Sequence, residues 1–221
     1  MSRAAIFDFD GTIADTIAAI REGVNLTMRK NNFPEHSHAE VQSFVNNGAR
    51  QLIRLSLPAH LQTDEATVDR VLADYDVLYG QVFRLTDRAY DGIPELIAEL
   101  HERGWRIGVL SNKQDVFVKA LSEQVLLPGT FDAAQGVIAR QPTKPHPYLP
   151  QRIADALGVA LSDCVMIGDS DVDLKTARNA GMRHVGVSWG YRSRDFLLQI
   201  GAQSVADTPG ELRQMLLDME A

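Results

Sequence analysis

Cysteine is nearly absent from this sequence. Cys164 is the single example in 221 residues, so no internal disulfide can form, and nothing points to an oxidising compartment. Long apolar runs are missing too: no stretch approaches the roughly 18 uninterrupted apolar residues of a helical membrane span, which excludes one. Basic residues are in deficit, 22 Lys plus Arg against 29 Asp plus Glu, a formal charge of −7. That balance argues against broad nucleic-acid affinity, which rests on Lys and Arg neutralising phosphates. No glycine-rich loop with a GK[ST] ending occurs, so an ATP-driven mechanism has no support. Internal repeats and low-complexity segments are lacking. The first residues, MSRAAIFDFDGTIADT, carry one Arg and then acids inside the apolar run, unlike a signal peptide. The expectation is a reduced, cytoplasmic protein without a membrane segment.

What is present is ordinary globular material, 45% apolar and 23% charged. A chain of this length buries roughly 70% of its unfolded surface and needs no structural metal for its core. Short apolar runs ending at Gly, Ser, Asp or Asn predict strands at 3–9 (RAAIFDF), 105–110 (WRIGVL), 164–168 (CVMIG) and 183–187 (RHVGV), with a weaker one at 133–138. Helical periodicity lies between them. Ile93, Leu96, Ile97 and Leu100 share one face, with Pro94 in the first turn and Gly104 after the end. Further helices are predicted around 116–125, 149–157, 171–180 and 211–219. Strands alternating with helices predict an α/β fold with a Rossmann-like parallel sheet. Residues 15–85 break the alternation with helical patterns near 16–30, 38–57 and 64–84. They predict an inserted all-helical cap, and residues 1–14 plus 86–221 the core.

Ligands of a parallel α/β sheet bind beyond the carboxyl ends of its strands. The residues found there are Asp8, Asp10, Gly11 and Thr12; Ser111, Asn112 and Lys113; and Asp169, Ser170 and Asp173. A further loop gives Lys144 and Pro145. Asp8, Asp10 and Asp169 in one cleft would repel each other when ionised, and Lys144 offsets one charge only. Mg²⁺, a hard cation that takes oxygen ligands, resolves the conflict. With Asp10 protonated, Mg²⁺ and Lys144 nearly balance the remaining carboxylates plus a phosphate dianion, which suits a phosphate monoester. Asp8 is then the candidate nucleophile, Asp10 the general acid and base, and Ser111 and Lys144 the phosphoryl ligands. Asp169 is a metal ligand, and Asp173 reaches back to support the ion or Lys144.

The strings FDFDGTIADT, SNK at 111–113, KP at 144–145 and GDSDVD at 168–173 resemble, in order and spacing, the four motifs of the haloacid dehalogenase-like hydrolases. The resemblance spans nearly the whole chain. It implies Asp8 as nucleophile, Asp10 as acid and base, and Mg²⁺ on Asp8, Asp169 and the backbone carbonyl of Asp10. It also implies a helical cap that selects the leaving group. Because Asp10 is present, the resemblance implies phosphate ester rather than dehalogenase or phosphonate chemistry. Segments 44–53 (FVNNGARQLI) and 144–150 (KPHPYLP) look most like bacterial phosphoglycolate phosphatases, which act on a small phosphorylated metabolite. Phe9 and Thr16 depart from the residues most frequent there.

Thr12, Asn112 and Arg50 are candidate substrate contacts, Arg50 meeting a substrate carboxylate from the cap side. Plainer readings apply elsewhere. Lys113 is expected to be solvated and His146 to cap its loop. His36 and His38 lack a third metal ligand at suitable spacing. Cys164 reads as a small buried apolar residue. Trp105 and Trp189 read as core or cap contacts. Two alternatives differ in outcome. A sugar-phosphate phosphomutase shares the motifs and the cap. A phosphorelay receiver shares the acids, hydroxyl, Lys and Mg²⁺ but has no helical insertion after its first strand. Oligomeric state is not encoded in these patterns.

Overall fold

The computed structural model describes residues 3–86, 88–138 and 141–219. The chain opens with β1 (Ala4–Phe7), whose four residues are fully buried. Four helices follow: α1 (Ile17–Lys30), α2 (His38–Phe44), α3 (Gly48–Ser56) and α4 (Glu65–Val82). Strands and helices then alternate through α5 (Ile93–Glu102), β2 (Arg106–Gln114), α6 (Asp115–Val125), β3 (Ala133–Val137) and α7 (Tyr148–Leu157). The remainder is β4 (Cys164–Gly168), α8 (Asp171–Ala180), β5 (Arg183–Val187), α9 (Arg194–Gln199), β6 (Val205–Ala206) and α10 (Pro209–Asp218).

All strand pairs are parallel, in the order β3-β2-β1-β4-β5-β6. This is the doubly wound arrangement of an α/β Rossmann-like core, with its crevice where the connections reverse on either side of β1. Successive residues of β1 face opposite layers, as the pleat requires. Ala5 and Phe7 join a core that includes Ile97 of α5, Leu121 of α6 and Leu212 of α10. Ala4 and Ile6 join another with Leu149 and Ile153 of α7 and Ala177 of α8. Both faces are therefore covered, which explains why the strands read as continuous apolar runs.

The insertion is helical, as its periodicity predicts. The pattern over 38–57 is interrupted at residues 45–47, where Asn46 takes a positive φ of 87°. Ser37 and Glu40 close a capping box at the start of α2. α1 packs on α4, α3 packs on both α4 and β2, and Arg192 donates to the Gln42 carbonyl at 3.1 Å. No helix among the described residues is long and apolar enough to cross a membrane.

Candidate active site

Asp8 follows β1 directly and is 5% exposed. Its Oδ1 accepts from the Phe9 N–H at 2.7 Å and lies 3.0 Å from Lys144 Nζ. Lys144 reaches the same spot from the loop before α7, and its Nζ also donates to Asp173 Oδ1 at 2.7 Å. The other Asp173 oxygen accepts from the Ser170 hydroxyl at 2.6 Å and the Ser170 N–H at 3.1 Å. Gly168 makes this approach possible, because a Cβ there would overlap the Asp173 carboxylate. Asp169 is fully buried. Its Oδ2 accepts from the Tyr191 N–H at 2.7 Å, whereas its Oδ1 is buried without a hydrogen-bond partner.

Carboxylate oxygens of Asp8, Asp169 and Asp173 lie within 4.8 Å of one another, all buried. Burial pushes the Asp8 carboxyl up to about 7 despite Lys144, with Asp173 and Asp10 adding to the rise. Burial, then Asp173 and Asp8, lifts Asp169 well above the usual carboxylate range. Burial pulls the Lys144 ammonium down, but Asp173 and Asp8 outweigh it and leave it raised. Buried acids this close call for a cation beyond Lys144, and the orphaned Asp169 Oδ1 is a free oxygen ligand for it. The donor set is all oxygen, which fits a hard divalent ion. Asp173 has both oxygens engaged, one by Lys144 and the other by Ser170.

Asp10 stands apart from that cluster. Its Oδ1 accepts from Thr16 Oγ1 at 2.5 Å and pairs with Lys113 Nζ at 3.0 Å. The Thr16 hydroxyl in turn lies 3.0 Å from the Tyr191 hydroxyl. Gly11, at φ 78°, turns the loop so closely past Asp169 that a Cβ would sit 2.6 Å from its Oδ2. Thr16 and Lys113 thus hold the Asp10 side chain.

β2 runs on past Leu110 through a register shift, and this extension carries Ser111, Asn112 and Lys113. Ser111 is buried, and its Oγ accepts from the Lys113 N–H at 3.2 Å. Lys113 corrects the expectation of a solvated side chain. That side chain is 7% exposed, and its Nζ donates to the Tyr79 hydroxyl at 2.8 Å besides pairing with Asp10. Burial lowers its ammonium, yet Asp10 and Tyr79 more than compensate and raise it. Asp8, Asp10, Ser111, Asn112 and Lys113 line one cleft with Asn46 and Tyr79 of the helical insertion. The space within it that a water-sized group can occupy is about 50 Å³.

The three expected substrate contacts differ in their surroundings. Arg50 does not line this cleft: its guanidinium binds Glu65 and Asp69 of α4, with 45% of the side chain exposed. Asn112 lines it but spends its amide elsewhere. Its Oδ1 accepts from the Lys144 N–H at 2.8 Å, and its Nδ2 donates to the Lys144 and Asn46 carbonyls. Asn112 thereby clamps the lysine loop to β2. Thr12 is fully buried, and its carbonyl accepts from Trp189 Nε1 at 3.1 Å. His36 binds the Ser56 carbonyl through Nε2 at 2.8 Å, His146 Nδ1 accepts from the Tyr148 N–H, and Cys164 is buried, all in keeping with the plainer readings.

Residues 5–187 match the family of haloacid dehalogenase-like hydrolases. The chain belongs to that family. A phosphoglycolate phosphatase of Xanthomonas campestris pv. campestris is 31% identical over 195 residues, covering 87% of this chain and 86% of its own. One from Colwellia psychrerythraea is 28% identical, with coverage of 94% and 93%. A crystal structure from Lactobacillus delbrueckii subsp. bulgaricus, described as a candidate phosphoglycolate phosphatase, superposes with a TM-score of 0.89. Its identity is 30%, covering 97% of this hydrolase and 98% of that chain. CbbY from Rhodobacter sphaeroides, solved with phosphate, shares the fold at a TM-score of 0.76 and 22% identity, with 96% of each chain covered.

Proposed function

We propose that this hydrolase is a Mg²⁺-dependent phosphatase that cleaves a small phosphate monoester of the phosphoglycolate kind through an aspartyl-phosphate on Asp8. The observation that carries the reading is the pairing of two differently held acids. Asp8 sits against Lys144 beside the buried acidic cluster, and Asp10, two residues on, is held apart by Thr16 and Lys113. In this reading one attacks and the other moves a proton.

Asp8, Asp169 and the Asp10 carbonyl would hold the ion, which neutralises charge on the bound phosphoryl group. The Asp8 carboxylate attacks phosphorus, and the departing oxygen takes the proton from the Asp10 carboxyl. Asp10, now ionised, accepts a proton from water as that water attacks the phosphorus of the Asp8 acyl phosphate. Inorganic phosphate leaves and Asp8 is restored. Lys144 and the Ser111 hydroxyl donate to the phosphoryl oxygens, where charge is greatest at transfer. Asp173 fixes Lys144, and Asn112 fixes the backbone that carries it. Residues 15–85 serve as a cap that closes over the leaving group and keeps water out of the first step.

The test is a panel of phosphoglycolate, sugar phosphates, nucleotides and pyrophosphate, scored for inorganic phosphate released with Mg²⁺ and with EDTA. Phosphate release from phosphoglycolate in Mg²⁺ alone supports the reading. Conversion of a sugar 1-phosphate to its isomer without net phosphate release would make the protein a mutase instead.

A further inference from the structure

If Arg50 is not the group that meets the leaving group, something else must read it, and the cleft has one cation to offer. Among the residues that line it, Lys113 alone is basic, and it stands with Asp10 on the floor formed by the core. An ammonium has three donors. Asp10 Oδ1 at 3.0 Å and Tyr79 Oη at 2.8 Å take two, leaving one for a ligand. The Tyr79 contact ties the lysine to the helical insertion, so its position depends on both walls of the cleft. Asn46 lines the same cleft and offers an amide whose nitrogen and oxygen are both buried without a hydrogen-bond partner. Buried amides without partners are rare, and each one leaves a desolvation cost that a ligand can recover. Apart from Tyr75 and Gln114, the rest of the lining is apolar, formed largely by Ile20, Val45, Ala49, Leu52 and Phe117. Such a wall offers few partners to the several hydroxyls of a sugar.

Building on the phosphatase reading, we propose that Lys113 and Asn46 form a carboxylate subsite that selects phosphate monoesters with a short leaving group bearing its own carboxylate. Lys113 donates to one carboxylate oxygen and the Asn46 amide to the other, while the short carbon chain lies against the apolar wall. Lys113 is thus a specificity residue that also holds Asp10.

The test compares phosphoglycolate with its neutral isostere, the phosphate ester of glycolamide, in the wild type, Lys113→Met, Lys113→Arg and Asn46→Ala. Wild type is expected to favour the carboxylate by about 10- to 100-fold in kcat/KM, mostly through KM, as suits one charge-assisted hydrogen bond in a buried site. Lys113→Met lowers the rate on both esters and cuts the preference to about twofold or less, whereas Lys113→Arg retains most of it; Asn46→Ala reduces it several-fold. Equal losses on both esters in Lys113→Met, with the preference intact, would mean that the lysine only holds Asp10, and would overturn the subsite. If circular dichroism shows that Lys113→Met does not fold, Asn46→Ala decides, and an unchanged preference overturns the proposal. A wild type that hydrolyses neither ester refutes the phosphatase reading itself; one that hydrolyses both equally well refutes the subsite alone.

Discussion

Replacing the nucleophile should make the metal-free protein more stable while destroying its activity. The Asp8 carboxyl titrates at about 7 rather than at its ordinary 3.8, chiefly because it is buried. The folded protein therefore holds a proton that the unfolded chain releases at lower pH. The stability this group contributes is complete below about 4 and is lost as the pH rises through 7. A difference of roughly three pH units corresponds to about 4 kcal/mol of unfavourable free energy at pH 8. Asp8→Asn removes that charge at nearly constant shape, and Lys144 keeps Asp173 at 2.7 Å. Urea denaturation in EDTA, at pH 5 and at pH 8, measures the effect. The variant is expected to gain on the wild type by about 2–3 kcal/mol on going from pH 5 to pH 8, since the unfolded carboxyl has already lost its proton at pH 5 and about two of the three pH units remain. Millimolar Mg²⁺ should narrow the gap, because the ion stabilises the wild type by mass action and the variant lacks one ligand. A difference that stays constant with pH, or a variant that loses ground at pH 8, would show that burial does not strain Asp8.

Asp10→Asn should slow turnover by about 10²- to 10⁴-fold and let phosphorylated Asp8 accumulate, detectable by mass spectrometry of the quenched protein. EDTA should bring phosphate release to background and Mg²⁺ should restore it, whereas Ca²⁺, larger and less strict in its geometry, should restore far less. Gly168→Ala would push the Asp173 carboxylate away from Lys144, costing about 1–3 kcal/mol in denaturant titrations and lowering kcat more than KM rises. Arg50→Gln should leave kcat/KM within about twofold and cost at most about 1 kcal/mol, since its ion pairs with Glu65 and Asp69 are solvent-exposed.

Backbone placement was far more legible in the sequence than side-chain partnership. Asp8, Ser111 and Asp169 each follow a short apolar run in a chain whose strands and helices alternate, the pattern of central strands of a parallel sheet, whose carboxyl ends converge. Lys144 is legible for a different reason, as the neighbour of Pro145 in a loop just before a helical pattern. β6 escapes notice because two residues, Val205 and Ala206, carry no period, and α9 because six residues fall short of two turns. The end of β2 is misread because a polar SNKQ looks like a loop. It stays in the strand because its polar groups turn toward the cleft beyond a register shift.

Arg50 and Lys113 show where such reasoning stops. Both are long cations whose fate is decided by residues distant in the chain. An arginine fork is suited to a substrate carboxylate, but α4 packs against α3 and presents Glu65 and Asp69 first, which fills the fork at the surface. A lysine after a polar pair is ordinarily solvated. Here Tyr79, 34 residues earlier, and Asp10, on the neighbouring strand's loop, reach it together and hold it inside. Exchange of roles between the two cations follows from one packing event, the contact of α3 and α4 with each other and of α3 with β2. That contact shuts Arg50 out of the cleft and brings Tyr79 onto Lys113. The charge that the cleft presents to a leaving group is therefore a property of how the helical insertion closes on the sheet. Tyr79→Phe, which removes only the hydroxyl that Lys113 meets, should alter substrate preference more than phosphoryl transfer, since Lys113 keeps Asp10 and the core holds Asp8, Lys144 and Asp169.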